Sequence, residues 1–359
     1  MRCRRSKPCL PGRQRGAALV MAMLIFAVSA ALIVAMKSDF ERVYQRAGNI
    51  FVAEQSRAYL RGAEGLATLA LLADYDLDKQ QGEEAVDTLE DIWAREEVPY
   101  PLDEGGWLSG KLEDLQGRFN LNHLADQPEQ DQGEPRYTPA QAQFIRLLQA
   151  VTDEQLDETE AVAITRSIGD WLDENNQARL GGAEDDYYND LTPPYRASNG
   201  AMLSVTELQA VKGITAELYA ALQPWVSVWP QQPGTLNIHT APAMVLRSLG
   251  EDNNLRPLSE ADALSLVQHR CETGFADIED FLNHPVLADS KEGMSAGRAL
   301  LGERTGYFLL RARVEVAGRN QRLYSVMERN NRQVSILSRA TDGRLSLPEP
   351  KREETCERL

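Results

Sequence analysis

Acidic side chains crowd a short part of the chain, and carboxylates at such density can hold a divalent cation. They are Asp170, Asp173, Glu174, Glu184, Asp185, Asp186 and Asp190. Gly181 and Gly182 lie between them and permit tight loop geometry. Ca²⁺ takes about six to eight oxygen ligands from carboxylates, amides and backbone carbonyls. The stretch lacks the D-x-[DN]-x-[DN]-G loop of an EF-hand. A solvated acidic loop, the usual meaning of a charged run, remains the other interpretation.

A second chemical signal is the sequence GMSAG at 293–297, which matches the G-x-S-x-G motif of serine hydrolases. That motif requires a buried strand before the serine, a helix after it and a histidine later in the chain. Residues 289–292 are polar, and the last histidine, His284, precedes Ser295. A tethered hydrolase acting through Ser295 is therefore an alternative without its required context.

The histidines give no further catalytic signal. They are His123, His239, His269 and His284. Their spacing forms no H-x-x-x-H pair, and the chain has no C-x-x-C pair and no Walker or Rossmann glycine loop. We expect a protein that is not an enzyme.

Two segments resemble the helix-hairpin-helix units of DNA-binding proteins, namely VKGIT at 211–215 and LNIHTA at 236–241. DNA-binding hairpins present G-x-G amides and nearby cations to phosphate, but position 215 is Thr. A membrane-anchored DNA-uptake protein is the alternative function that these segments raise. We expect packing units used for protein contacts, because fold does not carry function.

Charge also argues against nucleic acid. The 359 residues carry a formal net charge of −16. Residues 1–16 hold six cations and no acid, so the remainder carries −22. A body that negative repels phosphate backbones. We expect no nucleic-acid partner, and the acidic surface suits divalent cations.

The N-terminus predicts a membrane anchor. Residues 17–36 form an uncharged stretch of 20 residues, which as a helix spans the hydrocarbon core of a bilayer. The cationic leader should stay in the cytoplasm and place the remainder across the membrane. A signal peptide would have a shorter apolar core and a small-residue cleavage site after it. Apolar residues at helical spacing continue to Ala70, which predicts one long helix that leaves the membrane.

The rest of the chain has the pattern of helices followed by strands. An acidic stretch with short helical pieces is expected over 74–106, and capping boxes at 138–141 and 204–207 should open helices. Alternation over 310–316 predicts a strand with one wet face. Turns expected at 318–320 and 329–332 lead to strands at 323–327 and 334–337, which makes an antiparallel meander.

The positions of the cysteines are consistent with a C-terminal domain that lies outside the cytoplasm. Cys3 and Cys9 lie in the basic leader, so its removal would leave Cys271 and Cys356. In an oxidising compartment this pair can form a disulfide, and two separate thiols are the alternative.

Six motifs in order resemble the protein K family of type II secretion pseudopilins. They are GAALV (16–20), DLQGRFNLN (114–122), DWLD (170–173), GAEDDYY (182–188), SVTEL (204–208) and LNIHTA (236–241). The first resembles a prepilin peptidase site, which implies cleavage between Gly16 and Ala17 and methylation of the new N-terminus. Pseudopilins usually carry Glu at the fifth mature position, and this chain has Met21 there, a departure typical of protein K.

The resemblance implies an α+β, pilin-like fold: a long N-terminal helix and a small antiparallel sheet, with a large all-α insertion containing two SAM or helix-hairpin-helix-like units. The limits expected are a leader at 1–16, a transmembrane segment at 17–36, the pilin-like helix and first strands at 37–135, the insertion at 136–299, closing strands at 300–340 and a disordered tail at 341–359.

It also implies function, ligands and partners. The protein would be a minor pseudopilin at the tip of the pseudopilus, in the inner membrane with its body in the periplasm. Structural Ca²⁺ would be bound by Asp170, Asp173, Glu184, Asp185 and Asp186. The implied partners are the I, J and H types of minor pseudopilin, the major pseudopilin, prepilin peptidase and the inner-membrane secretion assembly.

Overall fold

The computed structural model describes residues 15–81, 86–95, 98–103, 105–127, 137–153, 155–232 and 234–348. The first fourteen residues, Cys356 and the predicted tail beyond 348 lie outside these ranges. The chain divides into two compact units, Met1–Ala58 and Tyr59–Leu359. The first helix begins in the first unit, and all later elements belong to the second.

The first helix, α1, spans Arg15–Gln81 and contains the apolar stretch predicted at 17–36. Its N-terminal apolar side chains are exposed, and it is long and apolar enough to cross a membrane. The helix continues past residue 74, where the sequence predicts an acidic stretch. Residues 66–81 are rich in Leu and Ala and contain neither Gly nor Pro, so nothing ends the helix earlier.

The other helices follow in chain order. They are α2 (Pro139–Val151), α3 (Glu158–Leu172), α4 (Asp185–Asn189), α5 (Ala216–Leu222), α6 (Ala243–Leu246), α7 (Glu260–Glu272) and α8 (Ile278–Leu282). Short 3₁₀ helices lie at Ile92–Ala94, Leu121–Ala125, Val205–Ala210, Lys291–Gly293, Gly297–Leu300 and Gly343–Leu345. The capping box between Thr138 and Gln141 opens α2 as predicted. The box between Ser204 and Glu207 is also formed, but it opens a 3₁₀ helix.

The strands are β1 (Tyr100–Pro101), β2 (Trp107–Asp114), β3 (Phe119–Asn120), β4 (Val226–Ser227), β5 (Leu236–Asn237), β6 (Leu301–Gly302), β7 (Tyr307–Val316), β8 (Arg319–Asn330) and β9 (Gln333–Ala340). The main sheet has the order β1-β2-β7-β8-β9 and is antiparallel throughout. The short strands pair in parallel, β3 with β4 and β5 with β6.

The predicted meander is present, but its strands are longer and its turns tighter than expected. Ala317 and Gly318 form the first turn, with φ values of 51° and 71°. Left-handed residues at both central positions match the twist of a two-residue hairpin. Asn331, with φ of 52°, begins the second turn. Two-residue turns leave the flanking polar residues in the strands, which is why those strands extend further than predicted.

One face of the main sheet contacts the C-terminal part of α1. Glu64 on α1 is buried and accepts a hydrogen bond from Ser325 Oγ of β8 at 2.5 Å. Arg339 of β9 donates to both oxygens of Glu64, at 2.7 and 3.1 Å. Charge-assisted bonds of this kind fix the register of the helix on the sheet.

The opposite face is partly covered by the helices. Leu309 of β7 and Val326 of β8 belong to the same buried core as α2, α3 and α7. Strand β2 pairs with β7 along its whole length, although 115–306 lie between them in the sequence. The helical region is therefore an excursion from the sheet that begins and ends at neighbouring strands.

Candidate functional site

The acidic loop, residues 170–190, begins at the end of α3, whose last turn buries Asp170. The Asp170 carboxylate has no exposed surface and accepts backbone hydrogen bonds from Arg179 N at 3.1 Å and Ala183 N at 2.9 Å. Burial raises its pKa to about 6, against the lowering effect of these amides and of the Arg179 cation. Asp170 therefore shapes the loop by holding its backbone.

Arg179 supplies an internal cation to the first two acids. Its Nη2 donates to Asp173 Oδ2 at 2.9 Å, and its Nε lies 3.4 Å from Asp170 Oδ1. The same guanidinium donates to the carbonyls of Leu124 and Ala125 at 3.3 and 3.0 Å. Part of the negative charge of the loop is thus already balanced.

Glu184 is buried and has no such compensating cation among the described residues. Its side chain is only 4% exposed, and neither carboxylate oxygen has a hydrogen-bond partner among the described residues. Burial raises its pKa to about 7, the negative charges of Asp170, Asp173 and Asp185 act in the same direction, and the nearby backbone amide of Asp185 opposes them only in part. An ionised buried carboxylate without donors is costly unless it takes up a proton or a cation completes it. This residue is the best fit to a cation in the loop.

The other two predicted ligands lie differently. Asp185 Oδ1 accepts a hydrogen bond from Ala197 N at 3.0 Å, and its Oδ2 lies 3.9 Å from Arg196 Nε. Asp186 is exposed. In the part of the chain that the structure describes, the group of three acids whose oxygens all lie within 4.8 Å of one another is elsewhere, at Asp74, Asp87 and Asp91.

The loop is held from outside by the hairpin at 211–215. Lys212 Nζ donates to the carbonyls of Gly181 and Gly182 at 3.3 and 3.0 Å, and it lies 5.0 Å from the centre of the Tyr187 ring. Gly213 has φ of +87°, and a Cβ there would lie 2.8 Å from Ile164 Cγ1. Only glycine fits this approach of the hairpin to α3. The cation of the hairpin is therefore used inside the protein.

A second polar cluster joins the sheet to the helical region. Asp114 at the end of β2 is buried and accepts hydrogen bonds from the hydroxyls of Thr240 and Thr305. Asn237 of β5 has no exposed surface and donates to the Asp87 carbonyl and to Thr305 Oγ1, both at 2.9 Å. Burial raises the pKa of Asp114 to about 6. We give the name polar junction to the cluster formed by Asp87, Asp114, Asn237, Thr240, Thr305 and Arg329.

Arg329 of β8 supplies the cation of the polar junction. Its Nη1 donates to Asp74 Oδ2 at 2.9 Å, and its Nη2 donates to Asp87 and, at 3.1 Å, to the carbonyl of Thr305. The guanidinium lies 5.1 Å from the centre of the Phe308 ring. Sequence reasoning identified Asp114 and Asn237 only as motif residues and missed Arg329. The available signal was its position in the strand. Alternate residues of a strand point to the same face, and Arg329 shares its face with the buried residues Ser325 and Met327.

The hydrolase motif lies in an irregular segment. Ser295 falls between the 3₁₀ helices Lys291–Gly293 and Gly297–Leu300, where the motif requires a strand and a helix. Asp252 accepts hydrogen bonds from Ala296 N and Gly297 N at 2.9 and 2.8 Å. This geometry is that of a fixed surface turn.

The predicted processing site lies at the start of the described residues, and one of the two cysteines predicted to pair lies among them. Gly16 and Ala17 lie in the first turns of α1. Cys271, near the end of α7, is disulfide-bonded, and its partner is not among the described residues. Cys356 lies outside those residues.

Comparison with known proteins gives a consistent result. Residues 117–231 match the first domain of the family described as type II secretion system protein K, and residues 236–301 match a second domain of the same description. The type II secretion system protein K of Aeromonas hydrophila is 32% identical over 345 residues, covering 92% of this chain and 98% of that protein. Its namesake in Pseudomonas aeruginosa is 30% identical over 339 residues, covering 94% and 95%.

A solved structure is also similar. A chain in the crystal structure of the GspK–GspI–GspJ complex from the type 2 secretion system of enterotoxigenic Escherichia coli aligns with a TM-score of 0.68 and 26% sequence identity. The alignment covers 83% of this chain and 99% of that one.

Proposed function

This chain belongs to the type II secretion system protein K family, and we propose that it is a minor pseudopilin at the tip of the pseudopilus. There it initiates and caps the fibre that exports folded proteins across the outer membrane. The observation that carries this proposal is the likeness to a chain of the GspK–GspI–GspJ complex over 83% of this chain. Its partners are minor pseudopilins of the I, J and H types and the major pseudopilin.

The soluble part of α1 offers a surface for such assembly. Leu66 and Leu69 are each 63% exposed, and Gly62 and Gly65 share their face of the helix. Apart from the nearby backbone of α1 itself, no atom lies within 4 Å of where a Cβ on either glycine would stand. Small residues beside exposed leucines let another helix approach closely, and burying those leucines would stabilise the contact.

Two features support a terminal position. Met21 lacks the carboxylate that other pseudopilins offer to the N-terminus of a neighbour in the bundle. The helical excursion between β2 and β7 adds bulk on one face of the sheet, which hinders stacking another subunit there.

A secretion assay combined with immunogold labelling tests the position. Deleting the gene should abolish export of folded substrates, and the wild-type gene should restore it. In wild-type cells with elongated pseudopili, label on this protein should lie at one fibre end, while label on the major pseudopilin runs along the whole fibre as the control. Label on this protein along the fibre would defeat the terminal position.

We infer that prepilin peptidase cleaves between Gly16 and Ala17, and that Cys271 pairs with Cys356 in the periplasm. The chain is anchored in the inner membrane with its N-terminus in the cytoplasm. Cleavage removes Cys3 and Cys9, so Cys356 is the partner left for the disulfide of Cys271. Intact mass of the protein from membranes should correspond to a methylated chain starting at Ala17 that lacks two hydrogens. A retained leader, or two thiols that alkylate without reduction, would contradict the respective inference.

We further propose that the acidic loop binds structural Ca²⁺. Glu184 supports this, because its buried oxygens lack donors, and Asp170, Asp173, Asp185 and Asp186 are the other proposed ligands. When bound, Ca²⁺ supplies positive charge that offsets the repulsion among these carboxylates. The residues of the chain orient the loop through the bonds of Asp170 to its backbone and through Lys212.

Finally, we propose that the fold is pilin-like, with two SAM or helix-hairpin-helix-like units inside the insertion. The domain limits expected from the sequence belong to this proposal, except that the predicted disordered tail at 341–359 can begin only after 348, because residues 343–345 form a 3₁₀ helix and Leu347 is buried. DNA uptake is disfavoured, because Lys212 of the first hairpin is engaged with the carbonyls of the acidic loop.

A further inference from the structure

A basic groove lies on the face of the main sheet opposite α1, beyond the part that the helices cover. Its volume is about 400 Å³, within the range of ligand pockets. Its walls come from three adjacent strands: Trp107 and Ser109 on β2, Arg311 and Arg313 on β7, and Arg322 and Tyr324 on β8. Arg311 is paired with Glu113, which leaves Arg313 and Arg322 as the cations to be explained on a body with net charge −22 after its leader.

The sheet register places two of these cations directly opposite each other. Arg313 of β7 pairs with Arg322 of β8, and Ser109 of β2 pairs with Arg313 on its other side. Like charges directly opposite on neighbouring strands destabilise a sheet. Within the described ranges neither Arg313 nor Arg322 forms an ion pair with a carboxylate. The fold therefore maintains a repulsive pair that stability alone would not favour.

The remaining contacts fix the orientation of the side chains that line the groove. The Arg313 guanidinium lies 5.0 Å from the centre of the Trp107 ring, a cation–π contact that orients it. Trp107 is itself fixed, because its Nε1 donates to Glu315 Oε2 at 3.0 Å. Ser109 is only 4% exposed, and its hydroxyl has no hydrogen-bond partner among the described residues. An unsatisfied buried hydroxyl is costly, and here it lines the groove beside the arginines.

We propose that this groove binds an acidic peptide segment of a partner protein, with an Asp or Glu carboxylate bridging Arg313 and Arg322. The anion would remove the repulsion between the two guanidinium groups and accept a hydrogen bond from Ser109. Charge-assisted bonds between guanidinium and carboxylate are short, directional and strong. Trp107 and Tyr324 provide apolar walls for the backbone of the segment. This surface is distinct from the exposed face of α1, so the proposal does not depend on the position of the protein in the fibre.

Binding of a model peptide to the full-length protein in detergent tests the proposal. The probe is a fluorescein-labelled peptide of alternating Glu and Ala, and the matched probe carries Gln in place of Glu. We expect the Glu peptide to raise fluorescence anisotropy on binding, with an affinity that falls as salt is added. The double variant R313Q/R322Q should bind it at least about tenfold more weakly. The variant S109A should bind the Glu peptide roughly threefold more weakly than the wild type.

The control is a double variant with the same loss of charge elsewhere, R256Q/R332Q, at two exposed positions. Its affinity for the Glu peptide should lie within roughly twofold of that of the wild type. Both double variants change the net charge of the protein equally, so a larger loss in R313Q/R322Q would come from the groove itself. R313Q/R322Q should also unfold at a temperature no lower than the wild type, because it removes a like-charge pair. Equal binding of the Gln peptide, equal losses in both double variants, or no binding of the Glu peptide would overturn the proposal.

Discussion

Replacing Arg329 with leucine is expected to lower the free energy of unfolding by about 3–5 kcal/mol. The substitution would leave Asp74 and Asp87 buried side by side without the cation that both now contact. It also removes a donor to the Thr305 carbonyl. Thermal or denaturant unfolding of the full-length protein in detergent measures the change. A substitution costing less than about 1 kcal/mol would show that this ion pair is not needed for the fold.

The difference in the free energy of unfolding between the wild type and the Arg329→Leu variant should increase with pH. Burial raises the pKa of Asp74 to about 6, and burial also raises that of Asp87, while Arg329 lowers both. Both acids then bind protons more tightly in the folded than in the unfolded state, so their contribution to stability falls as pH rises through the folded pKa. Without Arg329 these pKa values rise further. The stability of the variant should therefore be closest to that of the wild type near pH 5 and furthest below it near pH 8.

Arg332→Leu is the matched control for this experiment. Arg332 follows β8 and pairs with Asp76 at 2.9 Å, but its side chain is 71% exposed. Exposed ion pairs contribute about 0–1 kcal/mol. Comparable losses in Arg329→Leu and Arg332→Leu would indicate a general charge effect and contradict the role given to the buried pair.

Calcium is expected to stabilise the protein by about 2.7 kcal/mol when its free concentration is 100 times its dissociation constant. The stabilisation follows from binding to the folded acidic loop and not to the unfolded chain. Thermal unfolding of the full-length protein with Ca²⁺ or with a chelator measures it. In the Glu184→Gln variant most of this increase should be lost, because the buried carboxylate that lacks donors is replaced by a neutral amide.

Glu174→Gln provides the control, since Glu174 lies in the same loop but is exposed. It removes the same charge and should keep nearly the full calcium response. If the wild type unfolds at the same temperature in Ca²⁺ and in chelator, the loop has no structural calcium. If Glu184→Gln responds as fully as the wild type, Glu184 is not a ligand.

Local patterns in the sequence were sufficient for several elements. The uncharged stretch at 17–36 predicted the start of α1, because a charge-free run of that length has few alternatives. Alternation over 310–316 predicted β7, and the Thr138–Gln141 capping box located the start of α2. Each of these signals depends on residues that are neighbours in the sequence, so it does not require knowledge of how the rest of the chain packs.

The polar junction could not be predicted in this way. Arg329 and Asp87 are 242 residues apart, and no local period connects them. The acidic loop shows the same limit. The composition of the loop makes all its carboxylates equal candidates, but the structure gives them different environments. Asp170 accepts hydrogen bonds from backbone amides, the buried oxygens of Glu184 have no hydrogen-bond partner among the described residues, and Asp186 is exposed. These differences arise from burial, which depends on the packing of α3 against the rest of the helical core.

The pairing of β2 with β7 has a consequence for the order in which the protein matures. Synthesis produces α1 and β2 first, but the central ladder of the sheet needs β7, which follows only after the intervening helices. Those helices share a buried core and can consolidate while β2 still waits for its neighbour. Closing so long a loop is slow. Until β7 pairs with it, β2 has an open edge that proteases and chaperones can reach, so completion of the chain through β7 is the step that protects the sheet.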